Sequence, residues 1–586
     1  MTTPPLIFVQ PLPAATPLRA VLRKAYRAVE TEIVDERLAE ADLPPETLDR
    51  IAARARDLVQ KVRAARQGQG GLDAFLHEYE LSSREGVVLM CLAEALLRIP
   101  DAETANLLIK DKLADADWRR HLGGSDSLFV NASTWALMLT GRVVSLDQEG
   151  QDLAGVLRRL VSRSGEPVIR QAVTQAMRIL GRQFVMGRTI DEALERARAN
   201  EKRGYRYSYD MLGESARTMK DAERYDRSYR AAITAIGRAA AGRGPIEGPG
   251  ISVKLSALHP RYEFAQRHRA IDELVPRLVA LAQLARDQKI GFTVDAEEAE
   301  RLDLSLDVIE AVSGDPSLAG WNGFGLAIQG YQKRAVPLVD WLADMARRHN
   351  RRLMVRLVKG AYWDSEIKQS QERGLEGYPV FTRKASTDVS YIACAKRLLA
   401  NEAAFYPQFA THNAHTVAAI LELAGNRRDF EFQRLHGMGE ALYEHIVAPD
   451  ATGHPCRVYA PVGSHEDLLA YLVRRLLENG ANTSFVNRIV DEKLPIEEIV
   501  GDPVARVRRL SDKPHPRIPL PKDLYGTERQ NSAGIDLTDI DRLEPLARAM
   551  QRDSAEPWHA APLIGGAASS GKAREMSDPA DRRRRI

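Results

Sequence analysis

Polar side chains recur at the ends of short apolar stretches in the middle of the chain, and several of them could bind a small charged molecule. Lys254 lies in ISVKLS, Asp295 in FTVDAE and Tyr459 in CRVYAP. Because successive residues of a strand face opposite sides, each of these side chains lies opposite its apolar neighbours. The apolar faces should pack against helices, so we expect the ammonium, the carboxylate and the phenol to point toward one common mouth.

Other apolar stretches carry a polar residue in the same way, namely Asp210, Gln329, Arg356, His412 and Gln433, at or near their ends. At a single position such a residue could merely satisfy another buried polar group. For eight stretches out of eight this interpretation is weak, since burying so many polar and charged groups without a ligand is costly. The pattern therefore predicts a binding site.

A helical pattern after the last apolar stretch, over residues 464–479, adds a second polar surface. Its leucines form one arc of the helix, and Tyr471, Arg474, Arg475 and Glu478 fall on the opposite arc. Paired guanidiniums suit bidentate binding of a carboxylate, and Glu478 could orient them or contact a polar ligand. A solvated helix face is the alternative, and the sequence leaves it open.

The segment RLVKGAYWD, Arg356–Asp364, groups two cations and two flat rings around Gly360. Such a set suits an anionic, planar cofactor. Thr382, Arg383 and Lys384 then open the next helical pattern, whose first backbone N–H groups favour phosphate. Together these two segments predict a cofactor site beside the mouth.

Several other kinds of site are not supported by the sequence. No G-x-G-x-x-G follows a strand, which argues against a Rossmann dinucleotide site. The motifs of zinc proteases, of the nucleophile elbow and of the P-loop are missing. His412 and His436 have no acidic pair beside them, so no metal site is expected.

The elements that must position these residues are eight apolar stretches between Tyr205 and Pro461, each followed by an amphipathic stretch of helix length. Strands that alternate with helices predict βαβ units on a parallel sheet. Eight units form a closed (β/α)8 barrel, an α/β fold whose active sites lie at the carboxyl ends of its strands. The stretches are YRYSYDM, ISVKLS, FTVDAE, FGLAIQ, LMVRLVK, QFATHN, FEFQRLH and CRVYAP.

Size and composition set the outer limits. The chain has 586 residues and 44% hydrophobic residues, enough for several domains with a large core. Its net charge of +3 gives little support for a nucleic-acid partner. Three scattered cysteines and no apolar run of membrane length predict a protein of the reducing cytoplasm. A helical region precedes the barrel, and a Pro-rich boundary at 514–526 follows it.

Eight ordered motifs resemble the proline dehydrogenase domain of the proline utilization A flavoenzymes. They are SVKLSALHPRY, TVDAEEAERL, GLAIQGYQKR, RLVKGAYWDSEIK, GYPVFTRKASTDVSY, ATHNAHT, FEFQRLHGMGE and YAPVGSHEDLLAYLVRRLLENGANTSF. The resemblance implies a (β/α)8 barrel that binds FAD noncovalently and is preceded by a helical arm and α-domain. The expected boundaries are 1–64 for the arm, 65–185 for the α-domain, 186–531 for the barrel, and 532–586 for a linker and the start of an aldehyde dehydrogenase module.

The resemblance further implies an activity. L-proline would be oxidised to Δ1-pyrroline-5-carboxylate by hydride transfer to FAD, with the electrons passed to ubiquinone. The protein would be cytoplasmic, peripherally associated with the inner face of the cytoplasmic membrane, and compatible with a homo-oligomer. The tail resembles only the opening of the family's aldehyde dehydrogenase module, so glutamate formation is not expected of this chain. No ribbon–helix–helix precedes the barrel, so DNA binding is not expected.

Residue roles follow from the resemblance, motif by motif. Arg474, Arg475 and Lys254 would hold the proline carboxylate, and Glu214 would pair with Arg474 as a lid. Asp295, Tyr459, Tyr362 and Leu435 would shape the pocket, and Arg356 and Gln329 would contact the flavin ring. The rest of FAD would be held by Lys359, Gly360, Tyr362, Trp363, Thr382, Arg383, Lys384, Thr411, His412, Asn413, Gln433 and Glu478. The catalytic set is Lys254, Asp295, Arg356, Tyr459, Arg474 and Arg475.

Two alternatives from other classes stay open. One is a DNA-binding regulator of proline catabolism, which would need a basic β-ribbon arm before Pro45. The other is a lyase or hydrolase barrel without a cofactor, which would differ from a flavoenzyme in having no yellow colour.

Overall fold

A computed structural model describes residues 12–66, 185–463, 488–489, 494–553, 558–579, 582–583 and 585. The predicted helix at 464–479, with Arg474, Arg475 and Glu478, lies outside the described residues. So does most of the helical region expected at 65–185.

The centre of the described molecule is a closed barrel of eight parallel strands in chain order, β1 to β8. The strand β1 pairs with β8 along its whole length, and this pairing closes the barrel. The predicted (β/α)8 fold is confirmed. The strands are β1 Tyr205–Met211, β2 Gly250–Val253, β3 Gly291–Val294, β4 Phe324–Gln329, β5 Leu353–Val358, β6 Phe405–Ala410, β7 Glu431–Leu435 and β8 Cys456–Val462.

The largest difference from the predicted strands is at β6. The sequence places this strand from Gln408, whereas it begins at Phe405 and includes Pro407. Proline is a poor strand former because it has no N–H to donate, but Pro407 lies in register with Val355 of β5 inside the barrel. The segment that follows, including His412 and Asn413, is loop.

Helices connect successive strands and cover the barrel. Some begin with a side-chain cap: Thr218, for example, forms a capping box with Asp221 at the start of α5. The helices are α1 Pro17–Ala25, α2 Glu30–Glu40, α3 Pro45–Arg66, α4 Ile190–Glu201, α5 Met219–Ala240, α6 Val275–Asp287, α7 Leu302–Ser313, α8 Ala335–Arg348, α9 Trp363–Glu372, α10 Lys384–Ala400, α11 Ala414–Ala424, α12 Glu440–Val447, α13 Pro503–Arg508 and α14 Ile540–Asp553.

Short helical turns lie between these elements, and a two-stranded hairpin, β9 Leu563–Ile564 and β10 Ala567–Ala568, lies near the carboxyl end. The turns are Gly244–Glu247, Leu255–Leu258, Phe264–Gln266, Arg267–Arg269, Ala270–Leu274, Ala299–Arg301, Pro316–Leu318, Ile496–Ile499 and Pro521–Asp523.

The apolar core lies between the strands and the surrounding helices. The apolar strand residues Ile251, Val253, Phe292 and Val294 are all buried in it. Their polar neighbours face the barrel interior, where the Ser208 and Ser252 hydroxyls lie 3.0 Å apart. The period-two alternation read from the sequence thus separates an apolar exterior from a polar interior.

The first three helices pack around the outside of the barrel. The helix α1 packs against α8, α2 against α10, and α3 against α11 and α12. Glu40 near the end of α2 pairs with Arg397 of α10 at 2.7 Å. Among the described helices, none has the length and apolar character needed to cross a membrane.

Candidate active site at the barrel mouth

Five side chains from different strands meet at the carboxyl ends of the barrel, and we call them the mouth cluster: Asp210, Lys254, Asp295, Arg356 and Tyr459. Lys254 Nζ lies 2.8 and 2.9 Å from the two carboxylate oxygens of Asp210. It also lies 3.3 Å from Asp295 Oδ2 and 3.3 Å from the Tyr459 hydroxyl. The lysine therefore has protein acceptors on every side.

Arg356 ties the mouth cluster to the strands below it. Its Nη1 donates to Asp295 Oδ1 at 2.7 Å, and its Nε donates to Gln433 Oε1 at 2.7 Å. Its Nη2 donates to Ser252 Oγ at 2.9 Å and Ser208 Oγ at 3.3 Å. A planar guanidinium held at all three of its nitrogens has a fixed position.

Tyr459 completes the cluster. Its hydroxyl donates to Asp295 Oδ2 at 2.7 Å. Its ring lies 5.0 Å from the guanidinium carbon of Arg356, within the range of a cation–π contact. The phenol thus links the carboxylate and the arginine that would otherwise be joined by one hydrogen bond.

Burial and charge set the protonation states of the cluster. Burial acts to lower the pKa of Lys254, but Asp210, Tyr459 and Asp295 outweigh it and hold the pKa well above its usual value. Burial raises the pKa of Asp210, with Lys254 acting against it. Burial also raises the pKa of Tyr459 far above its usual value, so the phenol stays neutral and can donate.

The chemistry available to this cluster is binding and orientation. Lys254 stays charged and Tyr459 stays neutral, so neither acts as a base near neutral pH. The hydroxyls of Ser208 and Ser252 bond to each other and to a guanidinium rather than to a general base, as a nucleophile would require. The cluster offers fixed charges to a polar ligand and leaves electron transfer to another group.

The residues predicted to hold a cofactor lie along the ends of β4, β5 and β6 and at the start of α10. Gln329 is buried and accepts a bond from Gln332 Nε2 at 2.7 Å. Lys359 pairs with Asp388 of α10. Trp363 donates through its indole N–H to the Phe381 carbonyl at 2.8 Å, so the start of α9 is fixed to the segment before α10.

The three residues Thr382, Arg383 and Lys384 form the cofactor turn, which leads into α10. Thr382 is buried and bonds to Glu30 of α2. Arg383 Nε donates to the Lys513 carbonyl at 3.0 Å. Lys384 is the first residue of α10. The turn therefore places cations at the amino end of a 17-residue helix, where anions are favoured.

The loop after β6 is ordered by its own side chains. His412 Nε2 accepts the backbone N–H of Leu435, the last residue of β7, at 3.1 Å. Asn413 caps α11 by accepting the N–H groups of His415 and Thr416. Thr411 accepts a bond at its carbonyl from the Tyr443 hydroxyl at 2.8 Å.

The other predicted residues lie in loops at the same end. Gly360 has a φ of +137°, and a Cβ there would fall 2.5 Å from the Tyr331 ring. Glycine is therefore required for the sharp turn after β5. Tyr362 precedes α9, and Glu214 lies in the loop after β1.

The residues present fit an anionic redox cofactor such as FAD. An amide and a guanidinium lie at the ends of β4 and β5, and Lys359, Arg383 and Lys384 surround the start of α10. The hydroxyl of Ser386, in the first turn of α10, is buried without a hydrogen-bond partner. A buried polar atom of this kind is expected where a ligand completes the site. Among the described residues, no group of His, Cys, Asp and Glu could hold a metal ion.

Sequence reasoning missed part of the cluster. Asp210 was expected at a strand end but received no role, although its two oxygens bind Lys254. Alternation along ISVKLS places Ser252 on the face of Lys254 but assigns it no role, and Ser208 is not among the predicted residues. The signal was present, because both serines and Asp210 share the inward face of β1 and β2 in the same alternation that identified Lys254.

A second ionic group fills the opposite end of the barrel, and we call it the floor network: Arg206, Tyr406, Gln408, Glu431 and Arg457. Arg457 donates to Glu431 at 2.6 and 3.1 Å, and Arg206 donates at 3.3 Å. Burial acts to raise the pKa of Glu431, but Arg457 and Arg206 hold it below its usual value. The sequence pattern does not predict this network.

Comparison with known proteins matches the chain to models of proline dehydrogenases. A family model described as proline dehydrogenase matches residues 193–488, half of the chain. A model described as the proline utilization A proline dehydrogenase N-terminal domain matches 16–63. A third, described as the DNA-binding domain of proline dehydrogenase, matches 71–184. This third match leaves the expectation that nucleic acid is not a partner without support. Its residues lie outside the part of the chain that the structure describes.

Individual relatives agree. The bifunctional protein PutA of Escherichia coli is 54% identical over 578 residues, which cover 96% of this chain and 44% of that protein. PutA of Rhizobium meliloti is 50% identical over 98% of this chain and 47% of that protein. A crystal structure of a Bradyrhizobium japonicum proline utilization A mutant is 50% identical, with a TM-score of 0.71 over 92% of this chain and 53% of that one.

The chain spans about half the length of the curated relatives it matches. The domain boundaries and residue roles expected from the sequence stay predictions. The motifs, the barrel and the family models nevertheless agree, and the chain belongs to the proline dehydrogenase family.

Proposed function

We propose that this chain oxidises L-proline to Δ1-pyrroline-5-carboxylate, with FAD as its redox cofactor. The observation that carries the proposal is the mouth cluster, which has two fixed cations and two carboxylates and no nucleophile bonded to a base. Such a site binds and orients a small charged molecule. Membership of the proline dehydrogenase family supplies the substrate class.

Proline is a zwitterion near neutral pH, and the mouth cluster has groups of both signs. Asp295 is half-buried at the mouth and is held by Arg356 and Tyr459. We assign Arg474 and Arg475 to the proline carboxylate on the resemblance, with Glu214 as the partner of Arg474. Tyr362 and Leu435 would line the remainder of the pocket.

Lys254 has a restricted role in this scheme. An ammonium donates three hydrogen bonds, and Asp210, Asp295 and Tyr459 already surround it. To contact the substrate carboxylate directly, it would have to exchange one of these bonds. Its main contribution is therefore a positive charge that offsets the two carboxylates beside it.

When bound, FAD would supply the redox chemistry as the acceptor of a hydride from C5 of proline, and the amine proton would leave to solvent. The residues suited to hold the flavin ring are Arg356 and Gln329. Lys359 and the cofactor turn are suited to the phosphates, because they are cationic and lie at a helix amino end. The remaining predicted contacts are Gly360, Tyr362, Trp363, Thr411, His412, Asn413, Gln433 and Glu478.

Tyr459 and Arg356 keep Asp295 in place during this reaction. Each donates to a different oxygen of the carboxylate at 2.7 Å. Because both donors are fixed from the barrel interior, the carboxylate has one orientation before the substrate arrives. This is preorganisation, which lowers the cost of reaching the reactive geometry.

Ubiquinone as the electron acceptor, peripheral contact with the cytoplasmic membrane, a cytoplasmic location and self-association are further proposals that rest on the family. Proline-dependent reduction of ubiquinone in lipid vesicles, compared with vesicles without quinone, would test the first two together.

The experiment for the activity uses the chain reconstituted with FAD. We expect L-proline to reduce an electron-accepting dye, and we expect D-proline to give a much smaller rate. A protein that retains FAD through gel filtration but reduces no dye with L-proline would overturn the proposal. A protein that retains no FAD would overturn the cofactor assignment as well.

A further inference from the structure

We propose that Glu30, in the helical arm, is a positioning residue for the cofactor turn, so that the arm contributes to cofactor affinity. The inference rests on the proposed function, since it takes the start of α10 as part of the FAD site. Glu30 lies 352 residues from Thr382 in the chain, and nothing in the sequence pattern joins them.

Glu30 makes a specific contact with the turn. It is the first residue of α2 and only 6% exposed. One carboxylate oxygen accepts the backbone N–H of Thr382 at 2.7 Å and the Thr382 hydroxyl at 2.9 Å. The same hydroxyl accepts the N–H of His515 at 2.8 Å. A buried carboxylate that accepts two bonds from one residue fixes both its backbone and its side chain.

Lys333 fastens the start of α2 to the barrel beside this contact. The residue is 3% exposed, and its ammonium donates to the Ala28 carbonyl at 2.9 Å. Its backbone N–H donates to the Pro379 carbonyl at 3.0 Å, three residues before Thr382. Burial raises the pKa of Glu30, with the charge of Lys333 acting against this. One lysine thus connects the arm and the segment before α10.

The position of the turn decides where the ligand-facing groups of α10 lie. The segment is held by Glu30, by the Trp363 indole at Phe381 and by the Arg383 contacts with the Lys513 and Pro514 carbonyls. Of these holds, only the one from Glu30 belongs to the arm. The unpartnered hydroxyl of Ser386 follows within the first turn of the helix. A shift of Thr382 would move this hydroxyl and the first N–H groups of α10 together.

The chain offers a matched contact for comparison. Glu40, ten residues along the same helix, pairs with Arg397 of the same α10 at 2.7 Å. Both carboxylates join α2 to α10, but Arg397 is in the last turn of α10 and Thr382 precedes its first. If the arm merely docks on the barrel, removing either carboxylate should weaken FAD binding equally. If Glu30 positions the cofactor turn, only the loss of the Glu30 carboxylate should weaken it.

The experiment compares Glu30→Gln with Glu40→Gln in the full chain. The dissociation constant of FAD is measured for the apoprotein by quenching of flavin fluorescence, and the melting temperature of each apoprotein by circular dichroism. We expect Glu30→Gln to raise the dissociation constant about tenfold, because it replaces a charge-assisted bond by a neutral one. We expect Glu40→Gln to keep the FAD dissociation constant within about twofold of wild type. Its melting temperature should be similar to that of Glu30→Gln.

Four outcomes would overturn the inference, and the last of them concerns a second variant. An unchanged dissociation constant in Glu30→Gln removes the positioning role, and an equal increase in both variants assigns the effect to arm docking in general. Wild-type protein that binds no FAD removes the proposed function and this inference together, which distinguishes the two failures. If Glu30→Gln does not fold, Glu30→Asp is used in its place. It keeps the negative charge on a side chain that is shorter by one methylene group. A several-fold weaker FAD affinity is then expected, and wild-type affinity would overturn the inference.

Discussion

The mouth cluster and the floor network are two ionic groups buried inside the same barrel, and they are built in different ways. In the floor network one carboxylate, Glu431, lies between the guanidiniums of Arg457 and Arg206. The remaining donors of Arg457 bond to backbone carbonyls, including those of Gly248 and Tyr207. In the mouth cluster two carboxylates and two cations face one another at the open ends of the strands.

The carboxylates of the two groups respond oppositely to burial. Two cations hold the pKa of Glu431 below its usual value, whereas the pKa of Asp210 is raised by burial and by the neighbouring Asp295. The floor network therefore pairs its single carboxylate with two cations, and we infer that it serves stability. The mouth cluster keeps like charges close together at the end of the barrel where ligands bind. We infer that substitutions in the floor network reduce the stability of the fold, whereas substitutions in the mouth cluster reduce activity.

The largest expected effect comes from Glu431→Ala. It leaves two guanidiniums in the barrel interior without their carboxylate, which costs about 3–5 kcal/mol in the free energy of unfolding. Urea denaturation followed by circular dichroism measures this. A loss below about 1 kcal/mol would contradict the idea that the floor network stabilises the barrel.

The next effect is on activity, from Arg356→Lys. The charge is kept, but an ammonium cannot reproduce the fixed contacts with Asp295, Gln433 and Ser252. We expect kcat/KM for proline to fall about 100-fold, measured by dye reduction with saturating FAD. Activity within threefold of wild type would remove Arg356 from the site.

A smaller loss is expected from Tyr459→Phe, which deletes the hydroxyl that donates to Asp295 and accepts from Lys254. The ring and its contact with Arg356 are retained. We expect kcat/KM to fall about tenfold, while the free energy of unfolding changes by no more than about 1 kcal/mol. If Tyr459→Phe lost stability and kept full activity, the mouth cluster would serve stability rather than activity, which would contradict the contrast with the floor network.

The smallest effect is a pH dependence in the floor network. The pKa of Glu431 is lower in the folded protein than in the unfolded chain, so its contribution to stability is present above about pH 4.3 and is lost as the pH falls through the folded value. The stability difference between wild type and Glu431→Gln should therefore shrink as the pH falls below about 4.3. A parallel urea series on Tyr459→Phe is the control, and a constant difference for Glu431→Gln would show that Glu431 does not titrate there.

The sequence predicts the mouth cluster better than the floor network for a physical reason. Alternation along one strand places Lys254, Asp295 and Tyr459 on the inner face without knowledge of the other strands. The pairing of Glu431 with Arg206 depends on the register between β7, β8 and β1, which the pattern of a single strand does not contain. The contact of Glu30 with Thr382 depends on how the arm docks on the barrel. β6 begins at Phe405 and includes Pro407, a residue that strand propensity disfavours but that pairing with β5 accommodates.

The most direct test of the account is the visible absorbance of the FAD-loaded chain under anaerobic conditions, recorded before and after L-proline is added. If proline is oxidised at the mouth cluster, the absorbance of the oxidised flavin is lost in wild type and in Glu30→Gln saturated with FAD, and it is lost more slowly in Tyr459→Phe. A flavin spectrum that L-proline leaves unchanged in the FAD-loaded wild-type chain would contradict the central claim.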